Sequence, residues 1–192
     1  LHVRSRRQRQ MCIRDRVSSY LHENMEIGGS LEVSAPAGDF TLSEGTDRPV
    51  YFISAGSGIT PVMSMVQTLA QKESSREITF VHAAKSEQHH AFKEETEKLL
   101  GANSANRLLF VYSRDAEATE DHTVKGRVNE ELLKSIVKDP NGEFYVCGPL
   151  SFMKSVIEGL QNLGVSMENI RYESFASSLD MQICLLYTSP SP

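Results

Sequence analysis

No apolar run in the 192 residues approaches the roughly 20 that a membrane-spanning helix needs, so no membrane partner is expected. Cysteine is scarce. Cys12, Cys147 and Cys184 form an odd set without metal-ligand spacing, which argues against a disulfide framework and points to a reducing, cytoplasmic compartment. An excess of positive charge is also missing: the net charge of −5 sets nucleic acid aside as a partner. No carboxylate or cysteine stands at ligand spacing from His82, His89 and His90, so no metal is assigned, and His82, inside an apolar strand pattern, reads as a hydrogen-bonded core histidine. Ser54 and Ser57 lack the G-x-S-x-G order of a hydrolase nucleophile, which leaves acyl transfer unsupported. There is no internal repeat.

What is present is ordinary for a globular chain, 40% hydrophobic and 23% charged, with one stretch that organises the rest. Residues 49–65 read PVYFISAGSGITPVMSM. Val50 to Ser54 is an apolar run suited to a buried strand. Gly56 and Gly58 permit a sharp turn and close backbone approach. Thr60 as N-cap and Pro61 at the first helical position then predict a helix start, with Val62, Met65, Val66 and Leu69 at helical spacing. Strand, glycine turn and helix N-terminus together make an anion site, because free N–H groups and the positive dipole end face one spot. Pro61 stands where the dinucleotide fingerprint G-x-G-x-x-G has its third glycine, so the motif alone fits a phosphate or a plain strand-to-helix turn.

The charge is uneven along the chain: residues 1–16 carry six arginines against one acid, and the body is acidic. Such an arm suits nucleic-acid binding or a transit peptide. RQRQMCIRDR at the start and CLLYTSPSP at the end resemble translated sequencing-adapter read-through, so residues 1–16 and 179–192 are expected to be non-native tails. Residues 17–22 predict a short helix capped by Ser18 or Ser19, Leu31, Val33 and Ala35 alternate as in a strand, and Phe40 and Leu42 read as one more. From Pro49, apolar runs alternate with amphipathic helices, as in an open parallel α/β sheet. Five strands are expected, at 50–54, 78–83, 108–112, 143–147 and near 170–172. Helices are expected after Thr60, at 90–100, at 128–137 begun by Asn129, and at 151–163 stopped by Gly164, with a polar loop at 113–123.

In a doubly wound sheet, ligands bind outside the carboxyl ends of the strands. The glycine turn, Ser113 and Arg114, Cys147-Gly148-Pro149, and Glu173, Ser174 and Phe175 follow successive strands and should converge on one rim. Ser113 and Arg114 suit a ribose or its 2′-phosphate, or are solvated loop residues, and Lys125 and Arg127 either join them or are surface charge. Cys147 either places a thiol beside a bound ring or is a small buried hydrophobe. Phe175 either stacks on a flat ring or covers the sheet edge.

ISAGSGITP, YVCGP and YESF, in this order on an alternating α/β pattern, resemble the nicotinamide-binding half of the ferredoxin-NADP reductase superfamily. VSSYLH with SAPAGDF, then VHAAKSEQHHAF and LGVSMENIRYESF, are similar to the reductase part of flavohaemoglobins, the nitric oxide dioxygenases. The resemblance implies that residues 17–48 are the remnant of an antiparallel FAD-binding barrel and 49–178 an NAD(P)-binding domain. It implies that Gly56, Ser57, Gly58, Ile59, Thr60 and Pro61 hold the NAD(P)H pyrophosphate, with Cys147, Gly148 and Pro149 at the nicotinamide. Val17, Ser18 and Ser19 would face the FAD pyrophosphate, and Glu173, Ser174 and Phe175 the flavin ring, with Cys147 and Glu173 nearest the hydride. NADH use with NADPH tolerated is expected. The sequence in hand shows no globin segment and no Arg-x-Tyr-Ser flavin motif, and FASS replaces the usual Phe-Gly-Pro ending. Poor FAD affinity, haem only in a fused globin domain, and no activity of this stretch alone are therefore expected. The alternatives are the reductase of an oxygenase or iron-sulfur system, or a stand-alone nucleotide-binding module.

Overall fold

Strand β1, Val50–Ala55, is buried at all six positions, which is why its sequence is a continuous apolar run and does not alternate. In the computed structural model, residues 16–33, 35, 37–72, 74–101, 103–114 and 122–175 are described. Five further strands follow: β2 (Ile78–Ala84), β3 (Arg107–Tyr112), β4 (Thr123–Lys125), β5 (Glu143–Cys147) and β6 (Ile170–Glu173). All pair in parallel, in the order β4-β3-β2-β1-β5-β6. The chain steps outward from β1 to β4 and returns to β5 on the other side. Strand order therefore reverses between β1 and β5, where an open sheet leaves a crevice at its carboxyl edge.

Helices cover both faces of this sheet. They are α2 (Ile59–Gln71), α3 (Lys93–Leu100), α4 (Glu130–Ile136) and α5 (Leu150–Asn162); α1 (Arg16–Asn24) precedes them in the chain. Phe52, Phe80 and Phe110 pack with Val62, Val66 and Leu69 of α2 and Leu100 of α3. On the opposite face Ile53, Val81, Val111 and Val146 meet Leu133 and Ile136 of α4 and Met153, Val156 and Leu160 of α5. Each such side chain, fully buried, contributes about 1.5–3 kcal/mol. Asn129 caps α4, its side-chain oxygen accepting from the Leu132 N–H at 2.9 Å. Gly164, at φ 85°, ends α5 with the Val165 N–H bonded back to Leu160.

Several elements differ from expectation. The sheet has six strands, the extra one being β4, which the sequence reads as loop; three residues with one apolar side chain are too short for a periodic signal. Helix α2 begins at Ile59 after a 3₁₀ turn over Gly56–Gly58, so Thr60 does not cap it and instead donates to the Ser57 carbonyl at 3.0 Å. Helix α3 starts at Lys93, because a 3₁₀ turn occupies Glu87–His89 and Phe92 adopts a left-handed φ of 62°. Ser18 and Ser19 lie within α1 and do not cap it, and no strand forms among the described residues around Leu31, Val33, Phe40 or Leu42. Leu31 and Val33 are exposed, and an unpaired segment gains no ladder bonds to hold it extended.

Residues up to 39 and residues from 40 onward form two separate units. Within the second, residues 40–48 are tied to the amino end of the sheet. The Ser43 N–H donates to the Tyr145 hydroxyl at 2.9 Å, and the Arg76 Nε–H donates to the Arg48 carbonyl at 2.8 Å. Glu143 accepts from Arg48 and Arg76, each at 2.7 Å.

Candidate dinucleotide-binding site

A cleft of about 470 Å³ opens at the carboxyl ends of the strands, within the 300–1,000 Å³ usual for cofactor sites. Its floor is Ala55 and Gly56 after β1 and Ala83 and Ala84 ending β2. One wall carries Lys85, Ser113, Gly126 and Arg127; the other carries Pro149 with Ser151, Phe152 and Ser155 at the start of α5. Glycine is needed at 56 because its φ is 55°, and a Cβ there would meet nothing within 4 Å. The first turns of α2 and α5, beside this cleft, contain no acidic residue, whereas α3 begins with Glu94 and Glu95 and α4 with Glu130 and Glu131. The first turn of α5, whose Ser151, Phe152 and Ser155 line the cleft, carries no carboxylate of its own, which suits an anionic ligand.

The structure brings together Gly56, Ser113 and Pro149 of the residues expected from the sequence. Ser57 and Thr60 are exposed, Pro61 is half-buried, and none of them, nor Ile59, lines the cleft. Gly58 is buried against the β5 turn: a Cβ there would lie 2.2 Å from the Cys147 carbonyl oxygen. Arg114 is exposed and outside the cleft lining. Cys147 is fully buried, and burial, then the charge of Glu173, push its thiol up to about 12, so it is a neutral S–H at neutral pH. Glu173 stands opposite Cys147 in the β5–β6 register, and Phe175 is exposed. Val17, Ser18 and Ser19 belong to α1, in the other unit.

Sequence reasoning missed Lys85, Ser151 and Ser155. The signal was available: Lys85 directly follows the second strand, and Ser151 and Ser155 are four apart after Gly148-Pro149. It also missed a buried polar row beneath the cleft. Ser54 Oγ lies 2.9 Å from His82 Nδ1, the His82 and His90 rings sit 4.6 Å apart, and His90 Nδ1 lies 2.8 Å from the Tyr112 hydroxyl. Ser54, His82 and Tyr112 immediately precede cleft residues Ala55, Ala83 and Ser113. The Nε2 atoms of both rings are buried without a partner.

That row carries a pH prediction. Burial, then the neighbouring His90, lower His82 to about 3; burial, then the Lys93 charge, lower His90 to about 4, with Glu87 opposing. Both folded values lie below the free 6.5, so their contribution is complete above pH 6.5 and is lost as the pH falls from 6.5 through about 4 for His90 and about 3 for His82. Acidification from pH 6.5 to 4.5 should cost about 4 kcal/mol from these rings. Urea unfolding at pH 6.5 and 4.5 checks this: His90→Phe should show a shallower loss than wild type, and parallel profiles would count against it.

A parallel sheet with its glycine turn, two helices without an acidic first turn and a cleft at the reversal of strand order that no carboxylate lines among the described residues define a dinucleotide-binding domain of the doubly wound class. The chain belongs to the oxidoreductase NAD-binding domain family, whose model matches residues 52–158. It is 38% identical over 168 residues to a flavohemoprotein of Bacillus subtilis (strain 168), covering 86% of this chain and 42% of that protein. A flavohemoprotein of Bacillus cereus (strain ATCC 10987 / NRS 248) is 41% identical over 170 residues, covering 87% and 42%. The chain thus spans less than half the length of these curated relatives. Among solved structures, the flavohem-like FAD/NAD binding domain of nitric oxide dioxygenase from Vibrio cholerae O1 biovar El Tor superposes with a TM-score of 0.73 at 35% identity, covering 86% of this chain and 66% of that one. A flavohemoglobin from Malassezia yamatoensis gives 0.64 at 26%, covering 78% and 40%. No described helix is long and apolar enough to cross a membrane.

Proposed function

We propose that this chain is the nicotinamide-binding reductase portion of a cytoplasmic, flavohaemoglobin-like oxidoreductase, which passes hydride from NAD(P)H to FAD and electrons onward to haem in a fused globin domain for nitric oxide dioxygenation. The observation that carries the reading is the cleft beside Gly56 and the start of α5, which no carboxylate lines among the described residues. The likeness to flavohemoproteins over 86–87% of the chain supports the acceptor.

In this reading Gly56 binds the pyrophosphate beside the start of α5, Gly148 and Pro149 lie at the nicotinamide, and Ser113 lies at the adenosine ribose. The neutral Cys147 and the register partner Glu173 fix the turn against which the nicotinamide lies. Glu173, Ser174 and Phe175 face the flavin ring, and Val17, Ser18 and Ser19 the FAD pyrophosphate. The flavin, when bound, supplies the ring that accepts hydride. The chain's own part is to orient the donor and exclude water from it, which is where much of the barrier to such transfers is removed.

Mixing the chain with NADH and a separately produced flavin-binding barrel from a relative should bleach the flavin absorbance. Dinucleotide binding without bleaching of the bound flavin would refute the reductase role and leave a binding module.

A further inference from the structure

The loop between β2 and α3 reaches the cleft at Lys85, directly after the floor residues Ala83 and Ala84, and the wall keeps its shape only if that loop stays in place. His90 holds it there. This residue belongs to no strand, yet it is only 8% exposed and lies against the ends of β2 and β3. Its Nδ1 is 2.8 Å from the Tyr112 hydroxyl, its ring meets Phe110 edge-on at 4.5 Å, and the His82 ring lies 4.6 Å away. His82 Nδ1 is in turn 2.9 Å from Ser54 Oγ, so the row runs from β1 across β2 to β3 by way of a loop residue. The turn's own hydrogen bonds are local: the His89 N–H donates to Ser86 and the His90 N–H to Glu87. They shape the turn without tying it to the sheet.

The fold gives up stability to place this ring. Phe92 adopts φ 62° and ψ 20°, a left-handed conformation that a bulky residue takes only where its surroundings impose it. Its ring is exposed, so burial of Phe92 does not offset the strain. The reversal lets the chain enter α3 with His90 turned into the fold. The Nε2 atoms of His90 and His82 have no partner among the described residues, so a phenylalanine ring would cost less at position 90 if packing were its task.

Resting on the dinucleotide reading above, we propose that His90 is a positioning residue of the cleft, which through the Tyr112 hydroxyl holds the wall at Lys85 and Ser113 in its receiving shape before the dinucleotide arrives. Tyr112 is followed directly by Ser113, whose N–H donates to the Ala84 carbonyl at 3.1 Å. One bond at His90 therefore steadies two loops. A wall formed in advance spares the ligand the ordering of both, and affinity rises by that difference.

Calorimetric titration of the full chain with NAD⁺, alongside thermal melts, tests the assignment. His90→Phe keeps an aromatic ring and removes the bond, and Tyr112→Phe removes the same bond from the other side. Each should weaken NAD⁺ about fivefold while melting near wild type, and the double variant should bind no more weakly than either single one, since both remove one interaction. His90→Asn, whose amide reaches the place of Nδ1 and can donate or accept, should keep NAD⁺ binding within about twofold of wild type despite a lower melting temperature. A packing role gives the reverse order, with His90→Phe binding like wild type and His90→Asn weakened, and that result would overturn the proposal while leaving the dinucleotide site standing. Additive losses in the double variant would do the same. Absence of NAD⁺ binding by wild type would instead bring down the site and the positioning role together.

Discussion

Replacing Gly58 with alanine is expected to destabilise the domain by about 3 kcal/mol, lower its melting temperature by about 10 °C and abolish measurable dinucleotide binding. The cause is contact, not conformation. Gly58 has an ordinary helical φ of −63°, so alanine meets no backbone strain there. Its Cβ would however lie 2.2 Å from the Cys147 carbonyl oxygen, 2.4 Å from the Cys147 carbonyl carbon and 2.7 Å from the Gly148 nitrogen. All three are backbone atoms of the turn after β5, so nothing can rotate away, and the two turns that flank the cleft must separate. Gly56→Ala supplies the contrast. Its added Cβ meets nothing within 4 Å, but its φ of 55° costs a non-glycine residue about 1–2 kcal/mol. Thermal melts with dinucleotide titration of both variants check the pair; a Gly58→Ala protein that melts and binds like wild type would show that the turns are not in contact.

Glu143→Ala should cost about 3–5 kcal/mol, since it leaves the guanidinium of Arg76 buried and unpaired. Arg76 and Glu143 are each only 4% exposed at the side chain, and they meet at 2.7 Å; Arg48, at the same distance, is half-exposed. Burial acts to raise the Glu143 carboxyl, but hydrogen bonds from Arg76, Ser43 and Arg48 and the Arg76 charge outweigh it and hold the group below 4.5. A carboxylate so depressed contributes stability that is present above 4.5 and lost as the pH falls through its folded value. Denaturant midpoints of Glu143→Ala and wild type at pH 7 give the cost directly. At pH 3 the gap between them should narrow. The exposed pair of Lys72 and Glu44 is the control, and Lys72→Ala should change nothing measurable.

These two variants also mark what the sequence made legible. Strands β1, β2, β3 and β5 announce themselves as apolar runs, because burial on both faces removes any need for polar alternation. Caps with a local mechanism, Asn129 and Gly164, could be read from single residues. Gly58 could not be read correctly: the sequence shows a glycine near a turn, and only the fold shows that the close approach is to Cys147 and not to a ligand. Glu143 and Arg76 are 67 residues apart, and nothing local couples them. Ser54, His82 and Tyr112 meet through strand register and the loop carrying His90, so the hydrogen-bonded core histidine read from the sequence is also one member of a row. Lys85 could have been read from its place after the second strand, but only the fold sets it in one wall with Ser113 and Arg127.

The central claim is that the carboxyl edge of the sheet, between the glycine turn and the start of α5, binds a nicotinamide dinucleotide. Titrating the isotopically labelled chain with NAD⁺ and following backbone amide shifts tests it most directly. The account predicts saturable shifts that are largest at Gly56, Ala84, Lys85, Ser113, Gly126 and Ser151, with Arg48 and Glu143 at the opposite edge unmoved. Saturation with the shifts centred on Arg48 and Glu143, or no shifts at millimolar NAD⁺, would contradict it.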